Sequence, residues 1–217
     1  MARVAERRRG KETRDALLDA AIAVIARVGI EAVSHRAVAD QAQMSPALTT
    51  YYFSSKQDLL LQAFEHYVAK GLPVIDGLWE QAFAILDDCE DGLTTAATVR
   101  QLAVLAANFL CVPENRHREE VAFELAFFHQ PRLEPALAMP VRAYRERMRQ
   151  PALDFCQRCG SAAPEVDADL LMGLIARLEF EQLNQTIDVS VDRAAAQLER
   201  LVSLIMGLQA NGPASRD

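Results

Sequence analysis

The sequence predicts an all-α protein. Apolar residues recur at the three- and four-residue spacing of helices along nearly the whole chain, and no stretch alternates polar and apolar residues as a half-buried strand does. Hydrophobic residues make up 51% and charged residues 24% of the 217 residues, which is enough apolar material for a buried core. The length suits one large domain or two small ones.

Helix boundaries are predicted from the apolar stripes and from the glycine and proline residues that interrupt them. Gly29 ends the first helix, a break is predicted at Gly71-Pro73, and Pro140 and Pro151 are expected to kink or split a later helix. The predicted helices cover residues 12–28, 35–42, 46–53, 56–70, 73–88, 94–111, 115–129, 133–158 and 165–186, and a last helix carries the stripe Leu198, Leu201, Val202, Ile205 and Leu208.

The charge is unevenly distributed along the chain. The net charge of −7 argues against a nucleic-acid binder if the whole chain is considered. Residues 1–56, however, carry nine Lys and Arg against six Asp and Glu, a charge of +3, so the rest of the chain carries −10. This asymmetry is typical of a nucleic-acid-facing end joined to an acidic body.

The N-terminal stretch MARVAERRRGKETR is basic but has no apolar segment after its charges, so it does not resemble a signal peptide. No apolar run approaches the roughly 20 residues that span a bilayer. We therefore expect a cytoplasmic protein with no membrane partner, whose four cysteines are reduced.

Two short helices in succession follow the first long one. Ser34 is predicted to cap the helix HRAVADQA, and Ser45-Pro46 begins the helix SPALTTYY, which Phe53 closes. Ser55 and Asp58 then stand at capping-box spacing at the start of the next helix. A long helix followed by two short ones across a tight turn predicts a three-helix, helix-turn-helix DNA-binding domain.

The second short helix carries side chains suited to DNA. Hydroxyls approach base edges and phosphates, a threonine methyl can touch the thymine methyl, and tyrosines are long enough to reach the backbone. Lys56 stands at a helix N-terminus, which favours an anion. The basic leader is predicted to be a flexible arm. Such arms are often only solvated tails, but before a DNA-binding helix this one could follow phosphates or enter the minor groove. The predicted DNA-binding residues are His35, Arg36, Ser45, Pro46, Ala47, Thr49, Thr50, Tyr51, Tyr52 and Lys56.

The stretch VSHRAVADQAQMSPALTTYYFSSKQDLLLQAF resembles the N-terminal domain of the TetR family of bacterial repressors. The likeness covers about residues 12–65 and depends on an ordered set of markers, from small residues in the first short helix to the aromatic pair before Phe53 and the Ser55-Lys56 step. Gln43 stands where the family usually has glycine, which predicts a left-handed residue at a cost of about 1 kcal/mol. Thr50 stands where many members have tyrosine, so the phosphate contact is expected at Tyr51 or Tyr52.

The resemblance implies a homodimeric, ligand-responsive transcriptional regulator, most often a repressor, that binds a palindromic double-stranded operator and is released by a small-molecule inducer. The corresponding division is a basic arm (1–10), the DNA-binding domain (11–55), a larger helical ligand-binding and dimerisation domain (56–210) and a flexible tail (211–217). The inducer is not identified by the sequence, which favours an apolar or amphipathic molecule.

The last two long helices are predicted to form the dimer. Two such helices from each subunit would build a four-helix bundle around a twofold axis. An intrachain pair in the core is the alternative, which the stripes alone do not separate, and the resemblance favours the dimer. The predicted dimerisation residues are Leu171, Leu174, Leu178, Leu198, Leu201, Val202 and Ile205.

Bulky residues concentrate in the middle helices and could line a mostly apolar ligand pocket with a few polar groups. Any single aromatic is more often ordinary core, and a lone helical histidine is usually surface. The predicted ligand-binding residues are Trp79, Phe83, Phe109, Phe123, Phe127, His129 and Arg177.

No catalytic constellation is found, so the sequence predicts neither an enzyme nor a cofactor. The pair Cys156 and Cys159 has zinc or redox spacing, but no second Cys/His pair stands nearby, so no metal site is predicted. The competing hypotheses are an all-α enzyme or cofactor-binding bundle without DNA binding, and a helical adaptor for proteins.

Overall fold

The computed structural model describes residues 2–88, 95–112, 118–128, 130, 133–184 and 190–208, with side chains from residue 8 onward. Within these ranges all regular structure is helical, which confirms the all-α prediction. The helices are α1 (Ala2–Ala32), α2 (His35–Gln41), α3 (Pro46–Tyr52), α4 (Lys56–Asp87), α5 (Ala96–Cys111), α6 (Arg118–Phe128), α7 (Pro135–Arg158), α8 (Pro164–Asn184) and α9 (Val191–Ile205).

The break predicted at Gly71-Pro73 is wrong, because α4 continues through Pro73 as one 32-residue helix. Helix α7 is likewise continuous through Pro140 and Pro151, so neither proline splits it. A proline removes one backbone donor and crowds the preceding turn, yet α4 buries apolar residues both before and after Pro73. Tertiary packing of a helix face therefore outweighs the local penalty.

The predicted break at Gly29 is confirmed. Its backbone has φ 76° and ψ 169°, a conformation that only glycine adopts readily, and the helical turns on either side differ in direction. Ile30 and Val33 follow with only 6% and 2% of their surface exposed, so the short segment after the break is packed into the core. Helix α1 also begins at Ala2, so residues 2–10, which the sequence assigns to an arm, lie in its first turns.

The chain divides into two compact units. The first comprises Met1–Pro73 and His117–Tyr144, and therefore extends beyond the predicted DNA-binding domain. In it α1 packs on α6 and α2, and α2 packs on α3. The core combines aliphatic residues of α1 and α2 with aromatic residues of α4, α6 and α7; its most deeply buried large side chains are Leu17, Leu18, Ile25, Phe53, Leu59, Phe64, Phe123, Phe127 and Leu137.

The second unit comprises Val74–Arg116 and Arg145–Asp217. Its central contacts are those of α5 with α9 and α8, and of α8 with α9. The buried cluster includes Val99, Leu102, Ala107, Phe155, Leu178 and Leu198. Among the helices of the described ranges, none is both long and apolar enough to cross a membrane.

Candidate nucleic-acid interface

The turn between α2 and α3 depends on one left-handed residue. Gln43 has φ 55°, the only positive φ of a non-glycine residue among those described, as its place in the sequence predicts. The chain then folds back, because the backbone N–H of Met44 donates to the carbonyl of Ala39 at 2.9 Å. At the other end of α2, the Ser34 hydroxyl accepts from the backbone N–H of Ala37. Both ends of α2 are therefore fixed by the predicted residues.

Thr49 is a buried structural residue, which corrects its prediction as a DNA contact. Its side chain is 0% exposed, and the hydroxyl donates to the carbonyl oxygens of Pro46 at 2.8 Å and His35 at 3.2 Å. It shares the inner face of α3 with Phe53, four residues later, which is 1% exposed. Thr49 thus attaches α3 to α2 and does not lie on the outer surface of α3.

The outer surface of α3 carries the rest of the predicted set. Ser45, Pro46, Ala47, Thr50 and Tyr51 are all exposed, and Tyr51 has 79% of its surface in solvent. Ser45 occupies the N-cap position without a side-chain capping bond, so its hydroxyl is not used by the helix. The Thr50 hydroxyl donates to the carbonyl of Ala47 at 3.1 Å, which leaves its methyl group as the more available contact.

The two tyrosines have different environments. Tyr51 stands edge-on to Tyr52, with ring centroids 5.0 Å apart, and projects into solvent. Tyr52 is half-buried, and its hydroxyl would lie 3.7 Å from a Cβ built on Gly10 of α1. An alanine Cβ at position 10 would therefore make an ordinary van der Waals contact with the tyrosine. Of the pair, Tyr51 is the better placed for a DNA backbone.

The basic members of the set lie at helix starts. Arg36 is exposed, with Asp40 one turn away at 3.9 Å. Lys56 is half-buried, and its ammonium donates to the backbone carbonyl of Glu31. An ammonium has three donors, so Lys56 holds the end of α1 and retains donors for an anion. His35 is half-buried at the first position of α2.

Helix α4 is attached to α1 by polar side chains. The Ser55 hydroxyl accepts from the backbone N–H of Asp58, as predicted, and Asp58 accepts from the backbone N–H of Ser54. Hydrogen bonds from Gln62 and from Ser54 lower the pKa of the Asp58 carboxyl. Gln62 also accepts from Arg14 of α1, with Nη2 at 2.6 Å from Oε1.

A second link between these two helices centres on Asp19. Its carboxylate is 2.9 Å from His66 Nε2 and 2.8 Å from Lys70 Nζ. Partial burial acts to raise the pKa of Asp19, but hydrogen bonds from Lys70 and His66 outweigh it and the pKa is lowered. These contacts hold the three-helix element on the first turns of α4.

Residues 17–63 match the sequence model of the tetR family of bacterial regulatory proteins. The match covers the part of α1 that packs in the core, both short helices and the start of α4. Residues 17–63 form a tetR-family domain. Their helix-turn-helix element is therefore the DNA-binding element of a transcriptional regulator.

Relatives of the regulator share most of its length. It is 27% identical over 200 residues to the HTH-type transcriptional regulator BetI of Rhizobium meliloti (strain 1021), covering 92% of this chain and 91% of that one. The solved structure of a regulator of Saccharomonospora viridis in complex with choline superposes with a TM-score of 0.65 at 22% identity, covering 89% of this chain and 96% of that chain. A TetR-like transcriptional regulator from Rhodococcus sp. RHA1 gives a TM-score of 0.63 at 19% identity, covering 88% and 93%. These two structures show the same fold.

An apolar cavity of about 60 Å³ lies in the second unit. Of the predicted ligand-binding residues, Trp79 lines this cavity, whereas Phe83 packs beside Trp79 under the guanidinium of Arg158, 4.6 Å from its ring centroid. Phe109 is half-buried on α5. The lining residues are Leu78, Trp79, Ala82, Leu102, Ala103, Leu105, Ala106, Phe155, Leu171, Ile175, Leu198 and Val202. Sequence reasoning missed Phe155, whose ring centroid is 5.9 Å from that of Trp79.

The other predicted ligand residues lie elsewhere. Phe123 and Phe127 are fully buried in the aromatic core of the first unit, where they stack with Tyr67 and Phe64 at 4.8 and 5.0 Å. Arg177 is exposed and bonds Glu181 at 3.0 Å and Gln197 at 2.9 Å. His129 lies outside the described residues.

The predicted dimerisation stripe is largely internal, and this is a correction. Five of its members are between 0% and 4% exposed within a single chain, so they have little surface left to give to a partner: Leu171, Leu178, Leu198, Val202 and Ile205. Leu174 and Leu201 are half-buried. These five residues therefore pack within one chain, which was the alternative to the dimer interface.

Other apolar residues of α8 and α9 are exposed. Val166, Leu170 and Phe180 have 59%, 54% and 53% of their surface in solvent, and Leu204 of α9 has 55%. Gly173 and Arg177 fall between them, so the exposed positions of α8 alternate in steps of four and three residues. That spacing is a heptad pattern that the sequence contains. The sequence prediction chose the more hydrophobic stripe of α8 instead, which is the buried one.

The two members of the cysteine pair differ in exposure, since Cys159 is half-buried. Cys156 is buried, and burial together with the nearby charge of Asp167 raises the pKa of its thiol to about 11. Such a thiol is not a reactive thiolate. No cluster of three or more His, Cys, Asp or Glu side chains suited to a metal occurs in the ranges that the structure describes.

Proposed function

We propose that this regulator is a homodimeric, ligand-responsive repressor that reads a palindromic operator with the outer face of α3. The observation that carries the proposal is the contrast between the two faces of α3. Thr49 and Phe53 are buried and fix the helix, whereas Thr50 and Tyr51 are exposed. A short, firmly held helix with an exposed threonine methyl and an exposed tyrosine suits insertion into a major groove.

Each exposed group has a role in this proposal. The Thr50 methyl contacts a thymine methyl or a base edge, and Tyr51 reaches the phosphate backbone beside the groove. Arg36 and Lys56, at the starts of α2 and α4, contact phosphates on either side. The positive charge of residues 1–56 supports the approach to DNA in a chain that is acidic as a whole.

Dimerisation is proposed through the exposed apolar face of α8 and α9, defined by Val166, Leu170, Phe180 and Leu204. Exposed apolar side chains at heptad spacing are suited to pairing with a twofold-related copy. Replacing both Leu170 and Phe180 by glutamate should leave a folded monomer in sedimentation experiments. The matched change of the exposed Val104 on α5 to glutamate should leave a dimer.

The inducer is proposed to fill and enlarge the apolar cavity of the second unit. All its lining residues are apolar, so the ligand group inside is an uncharged hydrocarbon or aryl group. The cavity of about 60 Å³ is smaller than the roughly 150 Å³ that holds benzene. A larger ligand is proposed to displace the surrounding helices, among them α8 and α9, which carry the proposed dimer face.

Movement of α8 and α9 would change how the two subunits meet, and with it the separation of their α3 helices. A ligand that prefers the moved state shifts the population away from the operator-binding state. Coupling of this kind is typically worth about 1–3 kcal/mol.

Trp79 gives a direct readout of the cavity, since it is the single tryptophan of the chain. Neutral alkyl and aryl probes should change its fluorescence saturably and weaken operator binding over the same concentrations. The cavity-filling substitution Ala106→Leu should abolish the response, whereas Ala97→Leu on the exposed start of α5 should preserve it. If choline produces the response and neutral probes do not, the proposed ligand class is wrong.

Operator recognition is tested by selecting, from a random pool, the DNA duplexes that the protein binds. The proposal expects a palindrome with half-sites about one helical turn, ~34–36 Å, apart or a multiple of it. Recovery of no common sequence, with binding equal to that of random duplex, would refute operator recognition.

A further inference from the structure

Glu31 connects the end of α1 with two other parts of the first unit. It lies two residues after the break at Gly29, near the end of α1. Its backbone carbonyl accepts a hydrogen bond from the ammonium of Lys56, the first residue of α4. Its carboxylate accepts from the side-chain amide of Gln130, two residues beyond α6, with 2.7 Å between Oε1 and Nε2.

The segment that holds Glu31 leads directly to the DNA-reading helix. Ile30 and Val33 are 6% and 2% exposed, so the segment is fixed on both sides of Glu31. Ser34 follows and caps α2, and the carbonyl of His35 accepts from Thr49 of α3. The path from Glu31 to α3 therefore runs through the buried Val33, the capped helix α2 and the contact of His35 with Thr49.

We infer that Glu31 is a positioning residue for operator binding, acting through its bond to Gln130, which sets residues 30–33 and with them α3. This inference depends on the proposed operator recognition. The bond between Glu31 and Gln130 holds the end of α1 from the chain after α6, in addition to the contacts that α4 makes with α1. Neither of these two side chains is expected to contact DNA itself.

The charge of Glu31 and its proposed positioning role predict opposite changes in DNA affinity when the side chain is removed. Its carboxylate belongs to a segment that approaches DNA, so its loss reduces repulsion from phosphates and should tighten binding to all duplexes. Loss of positioning should instead weaken binding, and more for the operator than for random duplex, because only the operator requires a defined placement of both α3 helices. The sign of the change separates the two explanations.

A second amide–carboxylate pair provides the matched control. Gln57 Nε2 donates to Glu134 Oε2 at 2.7 Å. It borders the same cleft of about 380 Å³ that Glu31 lines. Glu134 is exposed like Glu31, but its bond joins α4 to the residue before α7 and does not touch residues 30–33.

The experiment measures dissociation constants for the selected operator and a random duplex with the full-length dimer. Glu31→Ala and Gln130→Ala should each weaken operator binding roughly three- to tenfold, the effect of one lost hydrogen bond. The double variant should be no weaker than either single variant, since both remove the same bond. Glu31→Gln keeps an acceptor and should retain operator affinity, and Glu134→Ala should not weaken it.

Thermal unfolding confirms that each variant is folded. Unchanged or tighter operator binding by Glu31→Ala, or effects of Glu31→Ala and Gln130→Ala that add, would overturn the inference. Absence of selective binding by the wild-type protein would instead refute the proposed function, and the two results are distinguishable because the wild type is measured first.

Discussion

The hydroxyl of Thr49 donates to the backbone carbonyl of His35 across 3.2 Å, which joins α3 to the first residue of α2. The carbonyl of Pro46, in the same helix as Thr49, shares this single hydroxyl donor at 2.8 Å. The side chain is fully buried. The relative orientation of the two short helices therefore depends on a threonine that does not face the DNA.

Replacing Thr49 by valine should lower the free energy of unfolding by about 1–2 kcal/mol, because a buried hydrogen bond is lost while the shape is kept. Chemical denaturation measures this loss. Thr50→Val removes an exposed hydroxyl on the same helix and should change stability by less than about 0.5 kcal/mol. Equal effects of the two substitutions would show that the Thr49 bond is unimportant for stability.

Replacing Gln43 by glycine should stabilise the protein by about 0.5–1 kcal/mol, since φ 55° is strained for any residue with a Cβ. The higher entropy of glycine in the unfolded chain offsets part of the gain. Gln43→Ala retains the Cβ and should show no such gain. A stabilising Gln43→Ala would point to the glutamine side chain, and not to the backbone conformation, as the source of strain.

Replacing Asp19 by asparagine should flatten the acid dependence of stability. The pKa of Asp19 is lowered from its ordinary value of 3.8, so the charged carboxylate stabilises the fold above that value and the contribution is lost as the pH falls below it. Urea denaturation between pH 6 and pH 3 should show a smaller loss of stability for Asp19→Asn than for the wild type. Parallel curves would contradict the assigned link to His66 and Lys70.

Replacing Tyr67 by phenylalanine should destabilise the first unit by about 1.5–3 kcal/mol. The Tyr67 hydroxyl donates to Glu124 at 2.6 Å, and both residues are at most 7% exposed. A buried carboxylate that loses a donor is costly. Combining Tyr67→Phe with Glu124→Leu should recover part of the loss, as calorimetry can determine. A double variant less stable than Tyr67→Phe would contradict this assignment.

Local capping and turn chemistry could be predicted from the sequence. Ser34, Gln43, Phe53 and Ser55 do what their residue types and spacing indicate, because capping and turn geometry depend on a few adjacent residues. The break at Gly29 belongs to the same class. The resemblance to the tetR family rests on these residues and is confirmed by the family match.

Tertiary packing could not be read in the same way. Pro73 predicts a break, yet the packing of α4 keeps the helix continuous. The most apolar stripes of α8 and α9 predict a dimer interface, but their residues are buried in the core of their own chain. Thr49 is a third example. Its hydroxyl predicts a contact with DNA, whereas its spacing from Phe53 places it on the buried face of α3.

The central claim is that the exposed face of α3 reads DNA sequence. Its most direct test is the affinity of the full-length protein for the selected operator and a random duplex over a series of salt concentrations. The wild type should prefer the operator at every salt concentration, Thr50→Ala should reduce that preference, and Tyr51→Ala should weaken both complexes. The control Val104→Ala, on the second unit, should match the wild type. Equal affinity of the wild type for both duplexes, or no change on replacing Thr50 and Tyr51 together, would contradict the claim.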